Sequence, residues 1–554
     1  MVTVIGKECR FVTHLPEVKG KNKDTHIIKE IIHYSDGTKL PNIRTIVDFE
    51  RPFYITKEHY RNHKDKKEAE YVNNTNMYKS TESNLANAIA MKLGKTGYRR
   101  NQMRDVIDSP FIYGTDISSS AIIKKMYMDK WPELNTPFLV ATFDIEVSLY
   151  TDEIIVISVV TEDTIYTAVL ESLVKDHPHA IDTIKKLYEE HIPETRIKKM
   201  ASVEVEIFKT EIEVIQAAFA NVHKRSPDFL SIWNMDYDIP KIIAAIEKND
   251  MDPADIFSDP SLPDELKFFK YKQGMKQHIT ESGKVKPINV EEQWHSVITP
   301  AGYYVIDAMC GYRQVRVGGK TVPGGFSLDN ILNKELDLAK LSFGDDPKYK
   351  GRDWHMMMTR DKPLEYIVYN QWDCMSMVEL DYKNKDLTQV VPLLAGVTDF
   401  GRFNSGPKKI VDALHYYFLD RDRVIGCKPR TVVDDKLLGL DNWIVTLPAY
   451  RLIENGLKVL AEDPEARTSM RGEVYDSDAV SSYPSNTQLC NVSKETTSRE
   501  ILSIEGLEKE FFKKNNMNMF MGPTAAVDYC VNMFNFPTLT ELGEMIKEEE
   551  KINA

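Results

Sequence analysis

Polar residues are nearly absent from Phe138-Leu-Val-Ala-Thr-Phe143. A continuous apolar run of this kind predicts a strand buried on both faces in the middle of a sheet. Glu153–Val160 (EIIVISVV) and Thr164–Leu170 predict two further strands. The period then changes. Ile212, Ile215, Phe219 and Val222 recur at helical spacing, and Thr210 with Glu213 ahead of them makes a capping box. Asp228–Trp233 returns to a strand, Ile239–Lys248 to a helix, and Pro363–Leu380 reads as a longer helix. Upstream, Thr45–Phe53 reads as a strand and Ser83–Leu93 as a helix, within a mixed α/β region that ends near residue 138. Downstream, 396–430 is loop-rich with a helix over Lys408–Phe418, and Gly472–Val480 predicts a strand that Pro484 ends. Strands followed by an alternation of helix and strand indicate an α/β, nuclease-like layout.

A length of 554 residues exceeds what one core serves and implies three or four domains. Hydrophobic content of 42% and charged content of 28% are those of an ordinary globular protein. No apolar run nears the ~20 residues that cross a bilayer, and the start has no signal-peptide core, so a cytoplasmic chain without membrane association is expected. The net charge of −13 argues against indiscriminate coating of nucleic acid but leaves room for a local basic groove. The six cysteines are scattered with no C-x-x-C pair, so reduced thiols are expected and no cysteine zinc site or disulfide framework.

The candidate chemistry is a set of acids placed at element ends. Asp144-Ile-Glu146 follows the first buried run. On a strand, positions i and i+2 share a face, so both carboxylates project together, and a divalent cation relieves their repulsion. Asn234-Met-Asp-Tyr-Asp238 follows the strand that ends at Trp233, where α/β folds place their sites. Asp238 is the candidate there, with Asp236 a surface neighbour; a helix N-cap ahead of Pro240 is the alternative for Asp238. Tyr369 and Asp373 stand at i and i+4 on one face of the predicted long helix, either to orient a water beside a metal or as a helix surface pair.

The ordered series Asp-x-Glu, Asn-x-x-Tyr-Asp and Tyr-x-x-x-Asp resembles the three proofreading motifs of the DnaQ-like (RNase H-like) 3′–5′ exonucleases attached to family B DNA polymerases. The resemblance implies two-metal phosphodiester hydrolysis. It implies that Asp144, Glu146, Asp238 and Asp373 hold the cations and that Tyr369 positions the attacking water. Hard oxygen ligands favour Mg2+ or Mn2+, two per active site. The chain also resembles the T4-like phage branch of that family. Residues 269–312 are similar to its hairpin-bearing segment, with Ser282-Gly283 at the tip, and Phe326–Leu341 is similar to the helix that follows. Asn491-Val-Ser-Lys-Glu-Thr496 and Phe536-Pro-Thr-Leu539 match later segments of the branch, the second leading into the first fingers helix.

Asp478-Ala-Val-Ser-Ser-Tyr-Pro-Ser485 resembles the first palm motif of these polymerases, with Ser482 in place of Leu. The resemblance implies that Asp478 binds the nucleotide's metals, that Ser481 and Ser482 lie on the backbone cradling the triphosphate, and that Tyr483 excludes a 2′ hydroxyl. Asp476 shares a strand face with Asp478, and only the spacing to Tyr483 favours Asp478. No second palm aspartate segment, lysine-rich fingers helix or thumb is recognisable; Thr115-Asp116 and Thr151-Asp152 lie far upstream of any palm context.

The expectation is therefore the N-terminal subunit of a split phage replicative polymerase. It would act on primer-template and single-stranded DNA in the host cytoplasm. A second chain would bring the fingers, the remaining palm, the thumb and the sliding-clamp contact, and dNTP would bind the assembled enzyme. The alternatives are a free-standing exonuclease and a non-catalytic nucleic-acid-binding fragment. The expected domains are 1–138 (N-terminal α+β), 139–385 (exonuclease), 386–470 (return and linker) and 471–554 (partial palm). Arg99, Arg100, Lys124, Lys125, Arg313, Arg316, Lys408 and Lys409 are candidates for DNA contact.

Overall fold

A six-stranded sheet organises the centre of the chain. Its order is Ser202–Phe208, Thr164–Leu170, Ile154–Val160, Val140–Val147, Phe229–Ile232 and Tyr304–Asp307. The three strands from 140 to 170 form an antiparallel meander, and the other three join parallel to a neighbour. The computed structural model describes residues 2–459 except 64–65, 68, 95–102, 108, 135, 280–284, 289–292, 317–321, 344–348, 387–405, 428–449 and 454–455. The expected strand Gly472–Val480, the octet from Asp478 to Ser485 and both later phage-like segments lie outside the described residues. So do Ser282 and Gly283, although antiparallel strands Gln277–Ile279 and Val285–Pro287 flank them.

Every residue of Ile154–Val160 and of Thr164–Leu170 is buried, as two-sided burial requires, but the run Phe138–Phe143 becomes strand only from Val140 and its Phe138 is exposed. The helix Glu211–Arg225 starts at the expected capping box. The Thr210 hydroxyl accepts from the Glu213 amide at 3.4 Å, and the Glu213 carboxylate accepts from the Thr210 amide at 3.0 Å. The long helix spans Pro363–Asn384 and is buried around most of its circumference rather than along one stripe. Such a helix needs polar pins as well as apolar contact. The Thr142 hydroxyl donates to the Cys374 carbonyl at 2.8 Å, Gln371 donates to Thr167 at 3.0 Å, and the fully buried Trp372 donates its indole N–H to the Ala339 carbonyl at 2.9 Å.

Two compact units divide the chain: Met1–Asn62, Ala69–Val106 and Phe111–Gly426 form one, and His63–Glu68, Ile107–Pro110 and Cys427–Ala554 the other. Among its described residues the second contains the hairpin Tyr450–Ile453 with Gly456–Val459. The first holds the six-stranded sheet and an N-terminal meander of Val4–Leu15, Thr25–Tyr34 and Lys39–Val47. The strand expected over Thr45–Phe53 is two strands in different sheets. Asp48 adopts a left-handed conformation (φ 53°) and turns the chain between Val47 and Arg51. An isolated aspartate gives no warning of such a break in an otherwise extended run.

Within the first unit a buried cation joins the meander to the exonuclease-like sheet. The Lys29 ammonium donates to the Ser226 carbonyl at 2.6 Å, the Pro227 carbonyl at 2.7 Å and Asp228 Oδ1 at 3.0 Å. Asp228 Oδ2 accepts from the Leu139 amide at 3.0 Å, which fixes the start of the central strand. Burial pulls the Lys29 pKa down while Asp228 opposes the shift. Removing one member of a buried, hydrogen-bonded pair strands the other. Lys29→Ala is therefore expected to lower stability by about 3–5 kcal/mol, read from urea unfolding.

Candidate active site

Asp144 and Glu146 lie inside the strand Val140–Val147, on its last turn of pleat. The parallel neighbour Phe229–Ile232 pairs only as far as Phe143, so beyond that point one flank of the strand is open. The chain leaving Ile232 starts a helix at Met235. Asn234 holds the N-cap position and Asp238 falls in the first turn, so the N-cap alternative for Asp238 does not hold. Asp238 is 2% exposed and points inward. From the opposite side the long helix presents Tyr369 and Asp373, 6% and 4% exposed, which removes the helix-surface alternative for that pair. Asp236 is about half exposed. The four acids and Tyr369 line one cavity of about 310 Å³. Carboxylate oxygens of Asp144, Glu146 and Asp373 lie within 4.8 Å of one another.

The contacts that hold this group come largely from residues the sequence reading did not single out. Asn370 donates to Asp144 Oδ2 at 2.8 Å. The Tyr366 hydroxyl donates to Glu146 Oε2, and His355 Nδ1 lies 2.7 Å from that hydroxyl. The Lys340 ammonium donates to the Tyr369 hydroxyl at 2.8 Å and to Asp373 Oδ2. Tyr366, Asn370 and Asp373 follow one another at i, i+4 and i+7, a helical face that was readable in the sequence. Lys340 left no such trace. It sits in an extended tail just past the helix Leu328–Leu336, whose end at Asp337 is left-handed (φ 55°).

Four acids in one cavity face a single, half-buried ammonium, that of Lys340. Burial pushes Glu146 up to about 8, with the charge of Asp373 adding to it and the Tyr366 hydrogen bond opposing. Asp144 is raised well above the usual carboxylate range by burial and then by the charges of Asp238, Asp373 and Glu146. Burial and Glu146 raise Asp238 likewise. Burial raises Asp373 against the pull of Lys340. Burial works against the Lys340 ammonium, but the charges of Asp373, Tyr369 and Asp144 raise its pKa. Asp238 Oδ2 and Asp373 Oδ1 are buried with no hydrogen-bond partner. All-oxygen donors, excess negative charge and unpaired buried lone pairs are what a hard divalent cation fits.

Other expected residues fall elsewhere. Asp478, Ser481, Ser482 and Tyr483 lie outside the described residues, as do Arg99, Arg100 and the side chains of Lys408 and Lys409. Lys124 is buried over the Tyr304 ring, Lys125 pairs with Asp129, Arg313 lies over Phe326 at 4.4 Å, and Arg316 pairs with Asp386 at 2.9 Å. These four cations serve internal contacts.

In the metal-free protein the raised acids bind protons more tightly folded than unfolded. Stability is then expected to fall as pH rises from the ordinary Glu value of 4.5 through about 8, as Glu146 loses its proton. Divalent cations displace those protons, so the rise in Tm on adding Mg2+ or Mn2+ should grow over the same interval. Thermal melts with and without chelator test this, and Asp144→Ala/Glu146→Ala should flatten both curves.

No protein of curated function matches the chain at a significant level. Among protein families, the DNA polymerase family B exonuclease domain matches residues 98–258, a span that includes Asp144, Glu146 and Asp238 and stops short of Tyr369 and Asp373.

Proposed function

We propose that this protein is a metal-dependent 3′–5′ exonuclease that proofreads for a family B DNA polymerase. The observation that carries the reading is the convergence of Asp144, Glu146, Asp238 and Asp373 on one cavity, with unpaired buried oxygens on two of them. The family match over residues 98–258 supports the exonuclease class and a DNA substrate. The phage setting and the proofreading role rest on the sequence resemblance.

In this reading the four carboxylates would hold two Mg2+ or Mn2+ ions, which when bound would supply Lewis-acid activation of a water and charge stabilisation at the leaving 3′ oxygen. The chain's own groups do the positioning. Asn370 and Tyr366 fix the orientation of Asp144 and Glu146 through hydrogen bonds. The Tyr369 hydroxyl accepts from Lys340 and is held beside Asp373, where it would orient a water at the site. Burial and the charge of Asp373 keep that phenol protonated by raising its pKa. Arg352 also lines the cavity and offers a cation to the phosphodiester. A cavity of about 310 Å³ is at the small end of ligand pockets and suits one terminal nucleotide rather than a duplex.

We further propose that the octet Asp478–Ser485 serves as a first palm motif. One palm carboxylate does not complete a two-metal centre, so synthesis needs further acids from residues outside these 554, on a second chain in the split reading.

Single-stranded DNA labelled at its 5′ end should shorten from the 3′ end with Mg2+ or Mn2+. Asp144→Ala/Glu146→Ala should stop this at background, and persistent cleavage by that variant would reject the site. Lys340→Met should lower kcat by about 10–100-fold, as loss of an outer partner of a metal ligand does. Asp478→Ala should abolish primer extension by the assembled polymerase.

A further inference from the structure

The N-terminal meander carries a second cluster of ligand-type side chains, far in sequence from the carboxylate cavity. His14 and His26 are direct partners on the antiparallel ladder of Val4–Leu15 with Thr25–Tyr34, and Asp24 immediately precedes the second strand. The two imidazoles stack with ring centroids 4.6 Å apart and planes at 24°. Asp24 Oδ1 lies 3.1 Å from His14 Nε2 and 3.9 Å from His26 Nδ1, and all three atoms lie within 4.8 Å of one another. His14 Nε2 and Asp24 Oδ1 form an ion pair, whereas the buried His26 Nδ1 beside them has no hydrogen-bond partner. His26 and Asp24 are fully enclosed. A buried imidazole nitrogen left without a hydrogen bond is costly unless something joins it to its neighbours.

The outer atoms of the same side chains are already held. His26 Nε2 is 2.7 Å from the Ser119 hydroxyl, and Asp24 Oδ2 accepts from the Ser83 amide at 2.8 Å. Outer partners of this kind orient metal-binding imidazoles and carboxylates.

We propose that His14, Asp24 and His26 form a zinc site that clips the first two strands of the meander to the Ser83 segment and to the helix Ser119–Lys130. The present separations approach the roughly 3.3 Å edge of a tetrahedron with 2.0–2.1 Å bonds, and small side-chain rotations close the set. Water completes the coordination from the side of His14, whose side chain is 20% exposed. Two imidazole nitrogens and one carboxylate favour zinc over magnesium, the reverse of the all-oxygen cavity.

The test uses the full chain with Asp144→Ala/Glu146→Ala, so that the cavity does not bind the probe. The protein is stripped with chelator and titrated with cobalt(II) chloride, then zinc chloride, in excess Mg2+. One Co2+ per chain is expected, with visible absorption of nitrogen–oxygen coordination that one equivalent of Zn2+ displaces, and with a Zn2+-dependent rise in Tm. Adding His14→Gln at the partly exposed corner should weaken Zn2+ binding by more than the roughly 10–100-fold that loss of an outer partner costs, with an unchanged far-UV circular dichroism spectrum. Asp24→Asn should behave alike; if it does not fold, His14→Gln decides. Equal uptake with and without His14→Gln, or no uptake at all, overturns the site and leaves His14 and Asp24 as an ion pair.

Discussion

Mutual repulsion among buried carboxylates is the constraint on which the rest of the structure turns. Glu146, Asp238 and Asp373 are almost fully enclosed and Asp144 is half-buried, and burial with neighbouring charge raises the pKa of all four. A fold that gathers four such groups gives up stability there and must hold them by force from elsewhere. Lys340, half-buried, is the one ammonium among the described cavity residues, and it offsets only part of the charge.

The force comes from rigid neighbours. The central strand is paired on both sides up to Phe143, the long helix is buried around most of its surface, and polar pins such as Thr142 to Cys374 fix helix to sheet. The start of the central strand is tied through Asp228 to Lys29 in the meander. The N-terminal sheet therefore bears on the position of Asp144 although it supplies no acid. The proposed zinc clip at His14, Asp24 and His26 would stiffen that same sheet. Two cation sites of different donor chemistry would then serve one domain, the imidazole–carboxylate site for architecture and the all-oxygen site for reaction.

Much of the fold was legible because it rests on local pattern. Both all-buried strands, Ile154–Val160 and Thr164–Leu170, follow from continuous apolar runs, and the helix at Glu211 follows from its capping box. The strand over Thr45–Phe53 failed because a single left-handed residue, Asp48, divides it, and nothing in the local composition marks that conformation. Asp238 was readable as an acid beyond a strand end, but whether it capped the helix or faced the cavity depended on where the helix began.

The sequence by itself determined the order and spacing of the acids, since strand and helix periods dictate which residues share a face: Asp144 with Glu146, and Tyr369 with Asp373. Only the tertiary structure decided that these faces meet. It brought Lys340 to Asp373 through a tail after a left-handed helix end, and set His14 against His26 by strand register. The reason is physical: periodicity is encoded in short-range geometry, whereas register, helix ends and loop paths are fixed by packing over distances that no local pattern records.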